Sequence, residues 1–250
     1  MSITIKTENQ IGKMRKAGEL LAKVEALIEK NVSPGVTTAY LDQLAEDYIR
    51  SHGGIPSFKG YGGFPATLCT SLNDEVVHGI PGNRILKDGD VLSVDMGCIL
   101  NGYHADMARS YAVGEISAEA KNLIEVTKQS FFEGIKFAKV GNHLNEIGSA
   151  VQKYVEKNGF SVVRAYVGHG IGTKLHEPPE IPNYKTLDKG VRLQKGMTLA
   201  IEPMVNLGDC NVRVLKDGWT AVTKDGKCSA HYENTILITD GEPEILTLAR

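Results

Sequence analysis

The sequence predicts an α+β fold built as two related halves, each with helices packed on a mainly antiparallel sheet. Three observations predict it. Helical periodicity comes in two pairs of segments, each pair followed by strand-patterned stretches. Short motifs recur in the same order after each pair. The clearest turn signal, Asn101-Gly102, joins two alternating apolar runs as a β-hairpin.

Thr7 with Gln10 makes a capping box that opens the first helix, which carries Ile11, Met14, Leu21, Val24 and Ile28 at helical spacing. After the turn Ser33–Gly35, a second helix begins at about Thr38, points Leu41, Leu44 and Tyr48 inward, and stops at Gly53-Gly54. Strands and loops follow to Val113. A third helix from about Ser117 to Lys139 presents Leu123, Val126, Phe131 and Ile135. A fourth, from about Asn142 to Asn158-Gly159, presents Leu144, Ile147, Val151 and Tyr154 before strands resume.

The repeat extends to residues. LKDGDVLSVD (Leu86 to Asp95) lies over LQKGMTLAIE (Leu193 to Glu202) at a constant offset of 107, with Leu, Gly and Leu matching. HGIPG from His78 lies over HGIGT from His169, and His104-Ala105-Asp106 lies over His231-Tyr232-Glu233. The expected organisation is one catalytic domain, 1–250, with halves of about 1–114 and 115–250. Duplication would bring His78 and His169, Asp95 and Glu202, and Asp106 and Glu233 towards a shared axis.

Composition narrows the class. A net charge of −2 gives no reason to expect nucleic acid or an anionic membrane as an obligate partner. The N-terminus interleaves charges with apolar residues, so a secretory signal is not expected, and no apolar run approaches the ~20 residues that span a bilayer. Cys69, Cys98, Cys210 and Cys228 form no C-x-x-C pair, which points to free thiols in a reducing cytoplasm. Cys98, Cys210 and Cys228 read as small buried residues.

The hairpin carries two acids where a core would want valine. With Asn101-Gly102 as the loop, Leu100 pairs with Tyr103, Asp95 faces Ala108, and Asp106 faces Gly97. Cross-strand partners share a face, so Asp95 and Asp106 become diagonal neighbours about 7–8 Å apart at the backbone. Leu92, Val94, Met96, Met107 and Tyr111 fall on the opposite face, against the helices. Ser93, Gly97, Ala108 and Ser110 leave room beside the acids, and Arg109 points away from them. On the hairpin alone two readings are open: a solvated acid face, or a face that holds cations. The repeat favours cations, because it adds Glu202, Glu233 and His169. Four carboxylates with one imidazole offset two divalent ions almost one for one, and such a donor set suits cobalt, manganese, iron or zinc.

The set Asp95, Asp106, His169, Glu202 and Glu233, with NDEVVHGIPG around His78, GHGIG around His169, IEP at Glu202 and HYENT at Glu233, resembles the methionine aminopeptidases of the "pita-bread" fold over the whole chain. Lack of an insert in the second half is similar to the type I branch. The core is expected to follow the N-terminus directly, without the appendages of some relatives. The resemblance implies that Asp95 chelates one ion, that His169 and Glu202 serve the other, and that Asp106 and Glu233 bridge both. It implies that Glu202 is the general base, that His176 (in KLHEPP) contacts the substrate carbonyl, and that His78 lies near the scissile nitrogen. Tyr61, Phe64, Cys69 and Trp219 match the methionine pocket; Phe58 and Leu175 depart from the pattern, where cysteine and phenylalanine can occur, and so alter its shape.

The implied activity is removal of the initiator methionine from nascent chains and peptides with small second residues, by a cytoplasmic monomer with possible ribosome association. Nucleic acid and membrane are not required. Met1-Ser2 of the chain would itself be a permitted substrate. Rival readings are a proline-specific peptidase of the same fold, which usually carries a further N-terminal domain, and a non-catalytic peptide-binding relative, which would have lost ligands.

Overall fold

The computed structural model describes residues 3–248; Met1 and Ser2, the expected self-processing site, lie outside them. Among the described residues there are four α-helices: α1 Glu8–Asn31, α2 Thr38–Ser51, α3 Ala118–Ile135 and α4 Leu144–Lys157. The capping box of α1 is present, with Thr7 N donating to Gln10 Oε1 at 2.8 Å and Gln10 N to Thr7 Oγ1 at 3.4 Å. Helix α3 stops at Ile135 instead of running to Lys139, because the next residues turn to bury Ala138 and leave Phe137 40% exposed. Helix α4 begins at Leu144, with Glu146 accepting from the His143 backbone N–H.

The main sheet has nine strands among the described residues, all paired antiparallel. At its centre the hairpin strands Val91–Leu100 and Tyr103–Ala112 are followed by Glu233–Leu237, Thr198–Ile201, Gly168–Gly170 and Glu177–Ile181, in that spatial order. The hairpin has the expected register: Leu100 pairs with Tyr103, Asp95 with Ala108 and Gly97 with Asp106. Asn101 and Gly102 both take positive φ, 53° and 79°, as a type I′ turn requires.

Helices cover one face of this sheet. Leu21, Val24 and Ile28 of α1 and Leu41 and Ile49 of α2 pack on Leu92, Val94, Met96 and Met107. Phe131, Ile135, Leu144 and Ile147 of α3 and α4 pack on Leu199, Ile201 and Ile236. Each such buried side chain contributes roughly 1.5–3 kcal/mol, enough to dictate which face of each strand turns inward. The acids are therefore left on the other face. Cys98 is buried as expected, whereas Cys210, beside the partly solvated strand Val212–Val214, and Cys228, at the edge of the cluster of Val162, Val205 and Ala230, are only half-buried.

Candidate metal centre

Sheet register assembles the site. Asp95 pairs with Ala108, and Ala108 pairs with Glu233 on the next strand, so the two acids flank an alanine in one row on one face. The small Ala108 leaves space between them. Asp106, two residues along the middle strand, is diagonal to both. Its backbone is held by Thr235, whose hydroxyl accepts from Asp106 N–H at 3.0 Å and donates to Asp106 C=O at 2.9 Å. His169 pairs with Ala200, flanked by two glycines that let strands close in. A Cβ at Gly168 would lie 2.3 Å from the Ala200 carbonyl oxygen, and one at Gly170 would lie 2.2 Å from that of Pro178. Glu202 follows the strand Thr198–Ile201, and its carbonyl accepts from Asn183 Nδ2.

The solvated-face reading does not hold, because the helices take the apolar face and loops close over the other. Asp106 is 4% exposed and Glu233 2%. Asp106, His169 and Glu233 each offer a ligand atom, all within 4.8 Å of one another. His169 Nε2 lies 3.8 Å from Asp106 Oδ2 and 3.6 Å from Glu202 Oε1, too long for hydrogen bonds. Its Nδ1 lies 2.9 Å from the Gly170 carbonyl, which can only accept, so Nδ1 carries the proton and the Nε2 lone pair faces the carboxylates. Asp95 Oδ1, Asp106 Oδ1 and Glu233 Oε1 are buried without a hydrogen-bond partner. Burial pushes the Asp95 carboxyl up to about 7. Burial and mutual repulsion hold those of Asp106, Glu202 and Glu233 well above the ordinary carboxylate range. Lone pairs and negative charge meeting without a counter-charge are costly. Divalent cations would satisfy all of these atoms, so the donor set fits a metal centre.

All eleven candidate residues line one cleft of about 180 Å³, and its remaining lining residues are Phe58 and Leu175. Phe64 and Trp219 meet edge to face at 5.2 Å, forming apolar wall. The Phe58 ring fits because Gly97 has no side chain; a Cβ there would approach Phe58 Cε1 to 2.9 Å. Burial, then Asp95, raises the Cys69 thiol, which therefore stays protonated and serves as wall. Tyr61 Oη lies 2.7 Å from His176 Nδ1, and the His176 and His169 rings are 4.2 Å apart. His78 sits at φ 62°, a strained value for a residue other than glycine, with its ring against Tyr166. Burial, then the nearby His176, lowers His78 to about 4, and burial lowers His176, so both are neutral.

Three supporting residues escaped the sequence reading. Thr235 had no local signal. Arg109, on the opposite face as expected, donates to the carbonyls of Ala108 and Glu233 and to Asn234 Oδ1, binding two strands together. His231 did carry a signal, its alignment with His104. It is buried, and its Nε2 lies 3.7 Å from Glu202 Oε2. His104 instead has its Nδ1 2.9 Å from the Ser57 hydroxyl.

The family model of metallopeptidase family M24 matches residues 12–240. The chain is 56% identical to a methionine aminopeptidase of Clostridium perfringens over 99% of this chain and 100% of that one. A crystal structure of methionine aminopeptidase from Rickettsia prowazekii superposes with a TM-score of 0.97 at 43% identity, covering 99% of this chain and 100% of the other. The prolidase from Pyrococcus horikoshii OT3 shares the fold, with a TM-score of 0.79 at 22% identity, covering 98% of this chain and 64% of that one.

Proposed function

Since the chain belongs to metallopeptidase family M24, we infer that it removes the N-terminal initiator methionine from proteins and peptides, as a metallo-aminopeptidase of the pita-bread fold. The observation that carries this reading is the meeting of four carboxylates and an imidazole, with one oxygen each of Asp95, Asp106 and Glu233 buried and unpaired, in a cleft sized for one side chain.

The roles divide as follows. Asp95, Asp106, His169, Glu202 and Glu233 would hold the divalent metal, and cobalt, manganese, iron and zinc all suit these donors. When bound, the ions supply a Lewis acid for the scissile carbonyl and make water acidic enough to attack near neutral pH. Glu202 takes the proton of the attacking water and passes it towards the leaving amine. With the Tyr61 hydroxyl donating to Nδ1, His176 keeps its Nε2–H for the oxygen that becomes negative. His78 faces the scissile nitrogen. Tyr61, Phe64, Cys69 and Trp219 enclose the methionine side chain, and Phe58 and Leu175 narrow the slot. Proteins and peptides with small second residues are the favoured substrates in this reading.

The same reading treats the chain as one catalytic domain whose halves divide near residue 114, acting as a cytoplasmic monomer on nascent chains beside the ribosome. Among the described residues no helix is long and apolar enough to cross a membrane. The test is methionine release from Met-Ala-Ser after chelation and after manganese or cobalt is added back, with Ala-Pro-Ser alongside. Metal-dependent cleavage of the first peptide alone is expected. Cleavage of the proline peptide instead would move the chain to the proline-specific branch.

A further inference from the structure

His231 is 2% exposed, and its backbone is fixed from both sides. Its N–H donates to Ser110 Oγ at 2.8 Å, and its carbonyl accepts from the same hydroxyl at 3.0 Å. Ser110 thus spends its one proton on His231, so Ser93, 2.7 Å away, donates to Ser110. His231 also pairs with Met204 in a separate small sheet. With its Cα so anchored, the imidazole points at the candidate base, and its buried Nε2 has no hydrogen-bond partner. The gap to Glu202 Oε2 is 3.7 Å, which a small turn of the Glu202 carboxylate closes.

Glu202 therefore lies between two imidazoles, with Oε1 3.6 Å from His169 and Oε2 3.7 Å from His231. His169 has its proton on Nδ1, so it faces Glu202 with a lone pair. Of the two rings, His231 is the one with a proton to give. We propose that His231 is a positioning residue for Glu202: its Nε2–H donates to Oε2 and fixes the plane of the carboxylate, so that Oε1 stays turned to His169 and the metal. A carboxylate that rotates freely must be re-aligned in each encounter with metal and water. Partners that orient ligands in this way are typically worth about 10–100-fold in metal affinity or activity.

This inference rests on the role given to Glu202 above. It is tested on the full chain with His231→Leu, which removes the donor, and His231→Gln, which keeps an N–H at similar reach. His231→Asn, polar but too short, replaces the leucine variant if that variant does not fold. Manganese affinity is measured by calorimetry on chelated protein, and kcat and KM on Met-Ala-Ser. The leucine variant is expected to lose about tenfold or more in manganese affinity and in kcat, with KM within about twofold, and the glutamine variant to recover most of both. Equal losses in the two variants, or no loss in either, would overturn the proposal. Loss of a whole equivalent of bound manganese in both would make His231 a ligand, which also overturns it. Wild-type protein that binds manganese without releasing methionine would refute the functional reading, while the calorimetric comparison would still decide the role of His231.

Discussion

The two halves reach one site by different routes. In the first half, Asp95 and Asp106 stand on strands joined by a two-residue turn, in a register where they are diagonal neighbours. In the second half, Glu202 just beyond one strand and Glu233 at the start of another come from strands that also pair with each other, but residues 203–232 and four further short strands lie between them. There Asn234 pairs with Ile201, so the register places Glu202 and Glu233 directly across from each other, just beyond the last pair. The acids also differ in length. Aspartates suffice where a continuous hairpin carries the backbone under the site, and glutamates reach in from strand ends, Glu202 just past the end of one strand and Glu233 at the first position of the next. The histidines diverge likewise, His104 turning to Ser57 and His231 to Glu202. A duplicated pattern has thus become a local, self-supporting platform on one side and a long-range assembly on the other.

The largest effect should come from removing what joins both sides. Chelation is expected to abolish methionine release, and manganese or cobalt to restore it. The same experiment predicts a pH dependence. A carboxyl whose pKa is raised on folding costs nothing while both states are protonated, and its cost grows as pH rises from the unfolded value of ~3.9 towards the folded one, about 7 for Asp95. The buried histidines act in the opposite sense. His78 is lowered to about 4 and His169 and His231 to about 3, so each adds stability as pH rises, up to the unfolded value of ~6.5. Above about pH 6.5 only the carboxyls remain, and chelated protein should melt at lower temperature at about pH 8 than at about pH 6.5. Manganese, which takes the place of those protons, should remove most of that slope. A flat melting temperature in chelator would contradict the carboxyl cluster.

Next in size are changes of reach. Asp106→Asn and Glu233→Gln should each lower kcat/KM by ~10²-fold or more. Asp106→Glu and Glu233→Asp should do nearly as badly, because each moves a carboxylate by more than the roughly 1 Å that costs 10²-fold. Glu233→Asp retaining over a tenth of wild-type kcat/KM would show that side-chain length is not what separates the halves. Thr235→Val acts on the seam between them. It strips the hydroxyl that serves both backbone groups of Asp106, and should cost about 1–3 kcal/mol in thermal or urea unfolding, with weaker manganese binding. Asn101→Ala should have the smallest effect, about 1 kcal/mol of stability at a positive-φ position, with kcat/KM unchanged because ten cross-strand pairs hold the register. A large loss of activity there would mean that the turn, not the ladder, sets the acid geometry.

Much of this was legible in the sequence, for reasons particular to each element. The capping box at Thr7, the periodic apolar faces of the helices and the Asn-Gly turn are local signals, and the hairpin register follows from the turn by counting. Alternation then puts both aspartates on the face opposite Met96 and Met107. What could not be read is non-local. Thr235 replaces ladder bonds with its hydroxyl only because Asp106 arrives beside it from 129 residues away. His231 and His104 look equivalent as motifs, and only packing decides which of them meets a carboxylate. By itself the sequence determined the helices, the hairpin and the face on which the first two acids lie, because these depend on short-range periodicity and on side-chain chemistry. The tertiary structure alone decided that the acid face is closed, that Glu202 sits between two imidazoles, and that Thr235 clamps the backbone of Asp106. Burial and distance between remote strands are properties of the packed chain, and no local pattern encodes them.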